Sequence, residues 1–270
     1  MTVRFWGARG SMPCPGRGYL RFGGNTSCVE IRCAGRRLIL DAGSGLRELN
    51  ESLAGSDEGD IDLLLSHCHF DHVIGLSCFP PLFGGARKLR IWGFGMEPEG
   101  VKERLGAFFN PPLFPVPIDG LSDRTSFHDW GYDAPLDLGD GLIVRAAQLN
   151  HPGHVTGFRV EWAGRSVAYL TDFEIGDAAS DRAALALARE ASLAVIDANY
   201  TDAELAERRG WGHSSWRQAT QLAHEAGVRR PYLFHHDPAH NDQMLEAIEK
   251  EAKLILPSIE AAREGAVVDL

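Results

Sequence analysis

Three histidines and an aspartate stand within six residues in the segment His67-Cys68-His69-Phe70-Asp71-His72. The segment directly follows Ile61-Asp62-Leu63-Leu64-Leu65, an apolar run with the length of a buried strand. Imidazole nitrogens and carboxylate oxygens at the end of a strand can converge on a divalent metal ion. Because His67 and His69 alternate along the chain, both can face one side, and Asp71 and His72 can turn towards a second ion. The cluster therefore predicts a metal site.

Short apolar runs separated by turns dominate the first half of the chain, and segments with helical periodicity follow in the second half. We expect strands at 3–6, 28–33, 37–41, 61–66, 88–92, 142–149, 155–162, 166–171, 194–196, 232–234 and 267–270. We expect helices at 181–191, 202–209, 215–226 and 242–256. This order favours an α/β fold in which two sheets lie face to face with helices outside, a four-layer αββα sandwich.

The 270 residues are expected to form a single domain, because the candidate ligands run from position 67 to position 235. One region, at about 94–135, does not fit a minimal scaffold. Four prolines fall within the eight residues 110–117, which excludes a regular helix or a central strand there. The region is either a surface loop over a sheet edge, a contact in a homodimer, or a wall over the metals in which Phe114 contacts the substrate.

The motif His67-x-His69-x-Asp71-His72 matches the signature of metallo-β-lactamase-fold hydrolases, and Gly75-Leu76 follows where that family often has the same pair. The run Leu38-Ile39-Leu40-Asp41-Ala42-Gly43 also resembles the family's early strand and its Asp-x-Gly turn. The resemblance covers nearly the whole chain. It implies the metallo-β-lactamase fold and a metal-dependent hydrolase.

Carried over onto this sequence, the resemblance implies two divalent metal ions. One would be held by His67, His69 and His151, the other by Asp71, His72 and His235, with Asp172 bridging them. His154 is the alternative to His151 as a metal ligand, and His236 is the alternative to His235. In each pair, the histidine that does not bind the metal would support the site or contact the substrate. Asp41 would either hold a ligand imidazole or cap its own turn. Zinc is the first expectation, and manganese or iron also suit such donors.

Two further segments resemble the branch that contains tRNA 3′-processing ribonucleases and phosphoribosyl cyclic phosphodiesterases. They are Gly212-His213-Ser214-Ser215 and Ile196-Asp197-Ala198-Asn199. The resemblance implies that Asp197 orients His213 and that His213 protonates the leaving oxygen. Ile196 stands where the ribonucleases have a histidine, which departs from their pattern. The stretches at 4–11 and 23–27 resemble the phosphodiesterase subgroup and are expected at the rim of the site.

The formal net charge of −10 and the absence of a long Lys/Arg run argue against a long nucleic acid as the partner. We therefore expect hydrolysis of a small or cyclic, anionic phosphodiester by a metal-bridging hydroxide, with Asp71, Asp197 and His213 in catalytic roles. The alternatives are a lactone, ester or thioester hydrolase on the same metals, a ribonuclease, and a metal-binding sensor domain without catalysis.

The five cysteines are an odd number, and their spacing fits neither a zinc ribbon nor a disulfide scaffold. The first residues already have the pattern of a strand, and no apolar run approaches the ~20 residues that span a bilayer. These features predict a protein of the reducing cytoplasm without a membrane partner.

Overall fold

Two seven-stranded sheets lie face to face in the computed structural model, which describes residues 1–53, 59–84 and 87–270. Helices cover the outer face of each sheet. The expected four-layer αββα sandwich is therefore confirmed. Strand β14 (Val267–Asp269) pairs antiparallel with β1 (Thr2–Gly7), so the two ends of the described chain meet at one sheet edge.

The first sheet has the order β14-β1-β2-β3-β4-β5-β6 and the second has the order β13-β12-β11-β10-β9-β8-β7. The remaining strands are β2 Cys28–Cys33, β3 Arg36–Leu40, β4 Ile61–Leu64, β5 Leu89–Phe94, β6 Thr125–Trp130, β7 Leu136–Asp137, β8 Ile143–Leu149, β9 Val155–Trp162, β10 Arg165–Leu170, β11 Leu193–Asp197, β12 Pro231–Phe234 and β13 Glu260–Ala261. Strands β3 to β6 run parallel, as do β10 to β13. Their carboxyl ends therefore collect at one edge of each sheet.

The helices are α1 Leu46–Leu53, α2 Phe70–Val73, α3 Pro80–Phe83, α4 Val101–Phe108, α5 Ala178–Ala188, α6 Asp202–Glu207, α7 Trp216–Glu225 and α8 Asp242–Ile255. The four expected helices correspond to α5 to α8. Helix α5 begins three residues earlier than expected because the Asp177 side chain accepts hydrogen bonds from the backbone N–H groups of Ala179 and Ser180. The capping box of Ser215 and Gln218 is present at the start of α7.

The interior between the sheets is built from large side chains on their facing surfaces. Phe5 and Tyr169 are fully buried there, and Phe158 contacts Phe94 with ring centroids 5.1 Å apart. Two further apolar clusters lie between the sheets and their covering helices. Central strands such as β4, β11 and β12 are thus buried on both faces, which explains their continuous apolar runs in the sequence.

The segment 94–135 contains more regular structure than expected. It provides helix α4 and the edge strand β6, which pairs in parallel with β5 over six residues. The proline-rich part at 110–117 belongs to neither element, in agreement with the sequence analysis. Phe114 is half-buried and packs against Phe83, Phe108 and Phe109 on the outer side of the first sheet. Its expected contact with substrate stays a prediction.

None of the helices within the described residues is both long enough and apolar enough to cross a bilayer.

Replacing Phe158 by alanine should lower the free energy of unfolding by about 3–5 kcal/mol, because a fully buried ring between the sheets would leave a cavity. Urea unfolding should show a lower midpoint with an unchanged slope. The control is Leu254→Ala on α8, where the side chain is 83% exposed and the change should stay within about 0.5 kcal/mol. Equal effects of the two variants would contradict this packing.

Candidate metal centre

Loops at the carboxyl ends of four strands bring the candidate ligands together. The first motif follows β4, and its last two ligands lie in the short helix α2. The other three candidates stand within two residues of a strand end: His151 after β8, Asp172 after β10 and His235 after β12. Strand ends from two facing sheets therefore bring donors from distant parts of the chain to one place.

His67, His69, His151 and Asp172 form a first group of donor atoms that lie within 4.8 Å of one another. Nε2 of His67 is 3.6 Å from Oδ2 of Asp172, and Nε2 of His151 is 3.9 Å from the same oxygen. Nδ1 of His69 lies 3.2 Å from Nε2 of His151. The arrangement focuses three imidazole nitrogens and one carboxylate oxygen on a common centre.

Asp71, His72, Asp172 and His235 form a second group with the same spread. The Nε2 atoms of His72 and His235 are 3.3 Å apart, and each is 3.1 Å from Oδ1 of Asp172. Oδ2 of Asp71 lies 3.3 Å from Nε2 of His72 and 3.2 Å from Nε2 of His235. Asp172 belongs to both groups and directs one oxygen at each.

The side chains fit divalent metal ions. Nε2 of His67 is buried and has no hydrogen-bond partner among the described residues, although an unpaired buried nitrogen is costly. It points at the carboxylate of Asp172 from a distance at which a cation between them would satisfy both. Mixed nitrogen and oxygen donors at this spacing are the ligands of zinc and similar metals.

Partners behind the ligands hold the imidazole rings in place. Nδ1 of His67 is 3.0 Å from Oγ of Ser66, and Nδ1 of His151 is 2.8 Å from the carbonyl oxygen of Gly212. Such contacts orient the ring and direct its other nitrogen towards the metal. A side chain at Gly212 would collide with His151, since a Cβ there would lie 2.1 Å from the ring, so this position requires glycine.

Asp41 is a fully buried acceptor for four donors. Its Oδ1 accepts the backbone N–H of Ser66 at 2.7 Å. Its Oδ2 faces Nδ1 of His72 at 2.8 Å, and accepts the hydroxyls of Ser66 at 2.8 Å and Tyr169 at 2.9 Å. Of the two interpretations from the sequence, the geometry therefore places Asp41 as the partner of a candidate ligand. Ser66 and Tyr169 were not identified from the sequence.

The two competing histidines lie outside both donor groups. His154 is exposed, and its Nδ1 pairs with the side-chain amide of Gln148. His236 is buried behind the site with Nε2 3.1 Å from the carbonyl oxygen of Ala262. Burial, reinforced by the nearby Arg9 guanidinium, lowers the pKa of His236 to about 3. The structure thus brings His151 and His235 into the donor groups.

The charges of the donors suit cation binding. Burial alone would raise the pKa of Asp172, but the facing His235 and His72 hold it well below its usual value. Burial would also raise the pKa of Asp71, but the neighbouring His72 and His235 have the larger effect and lower it. Burial and the neighbouring His72 lower the pKa of His67 well below its usual value. Ionised carboxylates and neutral imidazoles are the forms that bind metal. Burial opposes protonation of His72, but Asp172, Asp71 and Asp41 raise its pKa well above the usual value, so His72 must release a proton when a metal ion binds.

Asp197 and His213 form a buried pair at the edge of the second group. Oδ2 of Asp197 is 2.8 Å from Nδ1 of His213, while Oδ1 accepts the backbone N–H groups of Ser214 and Asn199. The His213 ring stacks on His235 with centroids 4.9 Å apart. Burial opposes protonation of His213, yet Asp197 raises its pKa to about 9. This pKa favours the protonated form of His213, whose ring lies beside the candidate ligand His235.

The two N-terminal stretches expected at the rim both contact Asp71. The backbone N–H of Ser11 donates to Oδ2 of Asp71 at 2.7 Å, and the hydroxyl of Thr26 donates to its carbonyl oxygen at 2.7 Å. These contacts fix the helix that carries Asp71. No metal-ligand pattern in the sequence could have identified them, because they involve a backbone group and a single hydroxyl.

Comparison with known proteins matches residues 36–236 to the model of the beta-lactamase superfamily domain. The chain belongs to this superfamily. It is 23% identical to ribonuclease Z of Gemmatimonas aurantiaca over 100% of this chain and 96% of that protein. Zn(2+)-bound PqqB of Methylobacterium extorquens shares the fold with a TM-score of 0.76 at 16% identity, covering 100% of both chains. A diphosphatase of the PhnP family has a TM-score of 0.71 at 21% identity, covering 100% of this chain and 97% of that one.

The chain is a metal-dependent hydrolase, as the resemblance of its histidine motif implied, and the proteins that it is similar to include a ribonuclease and a diphosphatase. The fold implies a divalent metal, for which the two His/Asp groups provide the donors.

Adding zinc to metal-free protein should raise the free energy of unfolding, because the donor groups exist together only in the folded chain. The gain should reach about 2.7 kcal/mol when free zinc is about 100 times its dissociation constant. Chemical denaturation with zinc and with a chelator measures it. The same titration of Asp172→Ala is the control and should show a much smaller gain. An unfolding midpoint of the unaltered protein that zinc does not move would contradict the metal centre.

Proposed function

We propose that the chain is a dinuclear metal-dependent phosphodiesterase that hydrolyses a small or cyclic phosphodiester. The observation that carries this proposal is the position of Asp172, whose two carboxylate oxygens face two separate groups of donors. A single metal site would need only one of these groups. His67, His69 and His151 would hold one ion, and Asp71, His72 and His235 the other, with Asp172 shared.

When bound, two such ions supply Lewis acidity for the phosphoryl oxygens and a nucleophilic water at neutral pH. The chain's own residues would protonate the leaving oxygen and hold the ligands in position. In hydrolysis a bond forms between phosphorus and the water oxygen, and the bond from phosphorus to the leaving oxygen breaks. The leaving oxygen then needs a proton, which His213 is placed to give from Nε2, because Asp197 holds its Nδ1 side. Asp71 would act as a ligand held by the N–H of Ser11.

A phosphodiester is favoured over a carboxyl ester because its two non-bridging oxygens share a negative charge that two cations can neutralise together. The name of the ribonuclease relative denotes cleavage of phosphodiesters in RNA, and the name of the diphosphatase denotes cleavage of a phosphoric anhydride, so both act at phosphoryl groups. The net charge of −10 favours a small anion over RNA, since a long polyanion would be repelled at range. We also propose zinc as the metal, because the structural relative PqqB is zinc-bound, and the reducing cytoplasm as the compartment, because all five cysteines are free thiols.

Ribonuclease activity is the second candidate, and the full-length similarity to ribonuclease Z is the observation that favours it. It predicts cleavage of a tRNA precursor at its 3′ side. Turnover of a precursor tRNA that exceeds turnover of every small diester would select this candidate.

The unaltered protein should bind about two equivalents of zinc. Asp172→Ala should reduce binding at both groups, whereas His67→Ala should lose about one equivalent, because His67 belongs to the first group only. Metal analysis after dialysis against dilute zinc measures the stoichiometry. His224→Ala, at an exposed helix position, is the control and should keep full binding. A His67→Ala variant with undiminished zinc would refute the ligand assignment.

His213→Ala should slow hydrolysis of a diester with an alkoxide leaving group by about 10²–10⁴-fold, because the departing alkoxide requires a proton. The same variant should hydrolyse bis(p-nitrophenyl) phosphate with a much smaller loss, since p-nitrophenolate departs without one. Steady-state kinetics on dithymidine monophosphate and bis(p-nitrophenyl) phosphate compare the two cases. Equal losses on both substrates would show that His213 acts by positioning its neighbours rather than as a proton donor.

A further inference from the structure

The loop at 208–215 joins helix α6 to helix α7 and carries His213. Two of its glycines, Gly210 and Gly212, have positive φ, at 84° and 90°. Their backbone N–H groups point to the same side of the loop, where both donate to one carboxylate. Turns of this kind form concave arrangements of N–H groups that bind anions. We call the N–H groups of Gly210 and Gly212 the glycine nest.

The anion in the glycine nest is the half-buried side chain of Glu174. The N–H of Gly210 lies 2.8 Å from Oε1 and 2.9 Å from Oε2, and the N–H of Gly212 donates to Oε2 at 2.8 Å. Among the described residues, no lysine or arginine forms an ion pair with this carboxylate. Hydrogen bonds to an ionised carboxylate are about twice as strong as those between neutral groups. Glu174 is therefore well suited to hold the loop in place.

Contacts of Gly212 and Glu174 extend from the glycine nest to the candidate ligand His151. The carbonyl oxygen of Gly212 is 2.8 Å from Nδ1 of His151, whose Nε2 faces Asp172 at 3.9 Å. The backbone N–H of Glu174 donates to the carbonyl oxygen of Asn150 at 3.0 Å, and the amide of Asn150 donates to the carbonyl oxygen of Glu174 at 3.0 Å. Glu174 thus holds both the residue that precedes His151 and the loop whose carbonyl orients its ring.

The other side of the loop is tied to the same segment. The hydroxyl of Ser214 donates to the carbonyl oxygen of Phe173 and accepts the backbone N–H of Ile175 at 3.2 Å. Both neighbours of His213 in the chain are therefore bound to residues 173–175. The side chain of Glu174 supplies the contacts on the glycine side.

We propose that Glu174 is a positioning residue whose carboxylate fills the glycine nest and thereby sets the zinc affinity of the first donor group through His151. Without the carboxylate, two backbone N–H groups lose their partners, and the glycines regain the conformational freedom that this residue type allows. The carbonyl of Gly212 then no longer holds the ring of His151 in its orientation for metal. The proposal rests on the ligands of the proposed dinuclear centre and is independent of the substrate.

The test is a competition titration of zinc with a fluorescent chelator. Glu174→Ala should still bind about two equivalents, but one of them about 10–100-fold more weakly than in the unaltered protein. Potassium acetate should restore this affinity, because its carboxylate can occupy the vacated glycine nest. Acetamide, the neutral analogue, should not restore it. The unaltered protein in the same acetate solution shows any effect of acetate on zinc itself.

Glu207→Ala is the matched control. Glu207 is an exposed residue of helix α6 next to the same loop, so this variant removes the same charge without touching the glycine nest. It should keep the zinc affinity of the unaltered protein. Glu174→Gln retains one acceptor oxygen and fills the space, so it should show a smaller loss that acetate does not restore.

Unchanged affinity for both zinc ions in folded Glu174→Ala would overturn the proposal, as would a loss that acetate does not restore. Should Glu174→Ala fail to fold by circular dichroism, Glu174→Gln decides, and full zinc affinity in that variant would overturn the proposal.

Amide hydrogen exchange at 210–213 in metal-free protein separates this proposal from the dinuclear centre. If the unaltered protein binds no second zinc ion, the dinuclear centre fails. Exchange that is faster in Glu174→Ala and is slowed again by acetate would still support the carboxylate-filled glycine nest. Exchange that Glu174→Ala leaves unchanged would count against it.

Discussion

The carboxylate of Asp172 is the contact on which the site depends. Its Oδ1 lies 3.1 Å from Nε2 of both His72 and His235. Its Oδ2 lies 3.6 Å from Nε2 of His67 and 3.9 Å from Nε2 of His151. This places six imidazole and carboxylate groups around the buried side chain of Asp172, and of these six only His69 is exposed to solvent. Such a concentration of polar groups is unfavourable without compensation, and divalent cations between the two halves provide it.

Backbone conformation at the strand ends makes this convergence possible. Asp41, Asp172 and His235 all have positive φ, at 60°, 50° and 58°. Each residue comes at or just after the end of a strand and turns its side chain back towards the gap between the sheets. A left-handed conformation costs a residue other than glycine about 1–2 kcal/mol, and it persists where the surroundings enforce it. The four donors around Asp41 are an example of such enforcement.

The buried pair of Asp197 and His213 lies next to the donor groups. The His213 ring stacks on the candidate ligand His235 with centroids 4.9 Å apart, and Oδ2 of Asp197 is 2.8 Å from Nδ1 of His213. A carboxylate–imidazole pair is therefore held directly beside the side chains that could bind a metal ion.

Much of the fold and of the site was predictable from local patterns in the sequence. Buried parallel strands appear in a sequence as apolar runs, and the candidate ligands follow such runs directly. The strand ends and the donors could therefore be predicted together, as for His67 and His235. Helix α5 and its start at Asp177 were only partly predicted, and helix α1, helix α4 and edge strand β6 were missed because their apolar periodicity is short or interrupted.

The sequence by itself determined which donors exist and that they follow strands, since both are properties of neighbouring residues. Only the tertiary structure decided that His151 and His235 enter the centre while His154 and His236 turn away. It also decided that Tyr169 and Ser66 share Asp41. These outcomes depend on backbone dihedral angles at the strand ends and on the register between two sheets. Both are set by packing among residues that lie far apart in the chain.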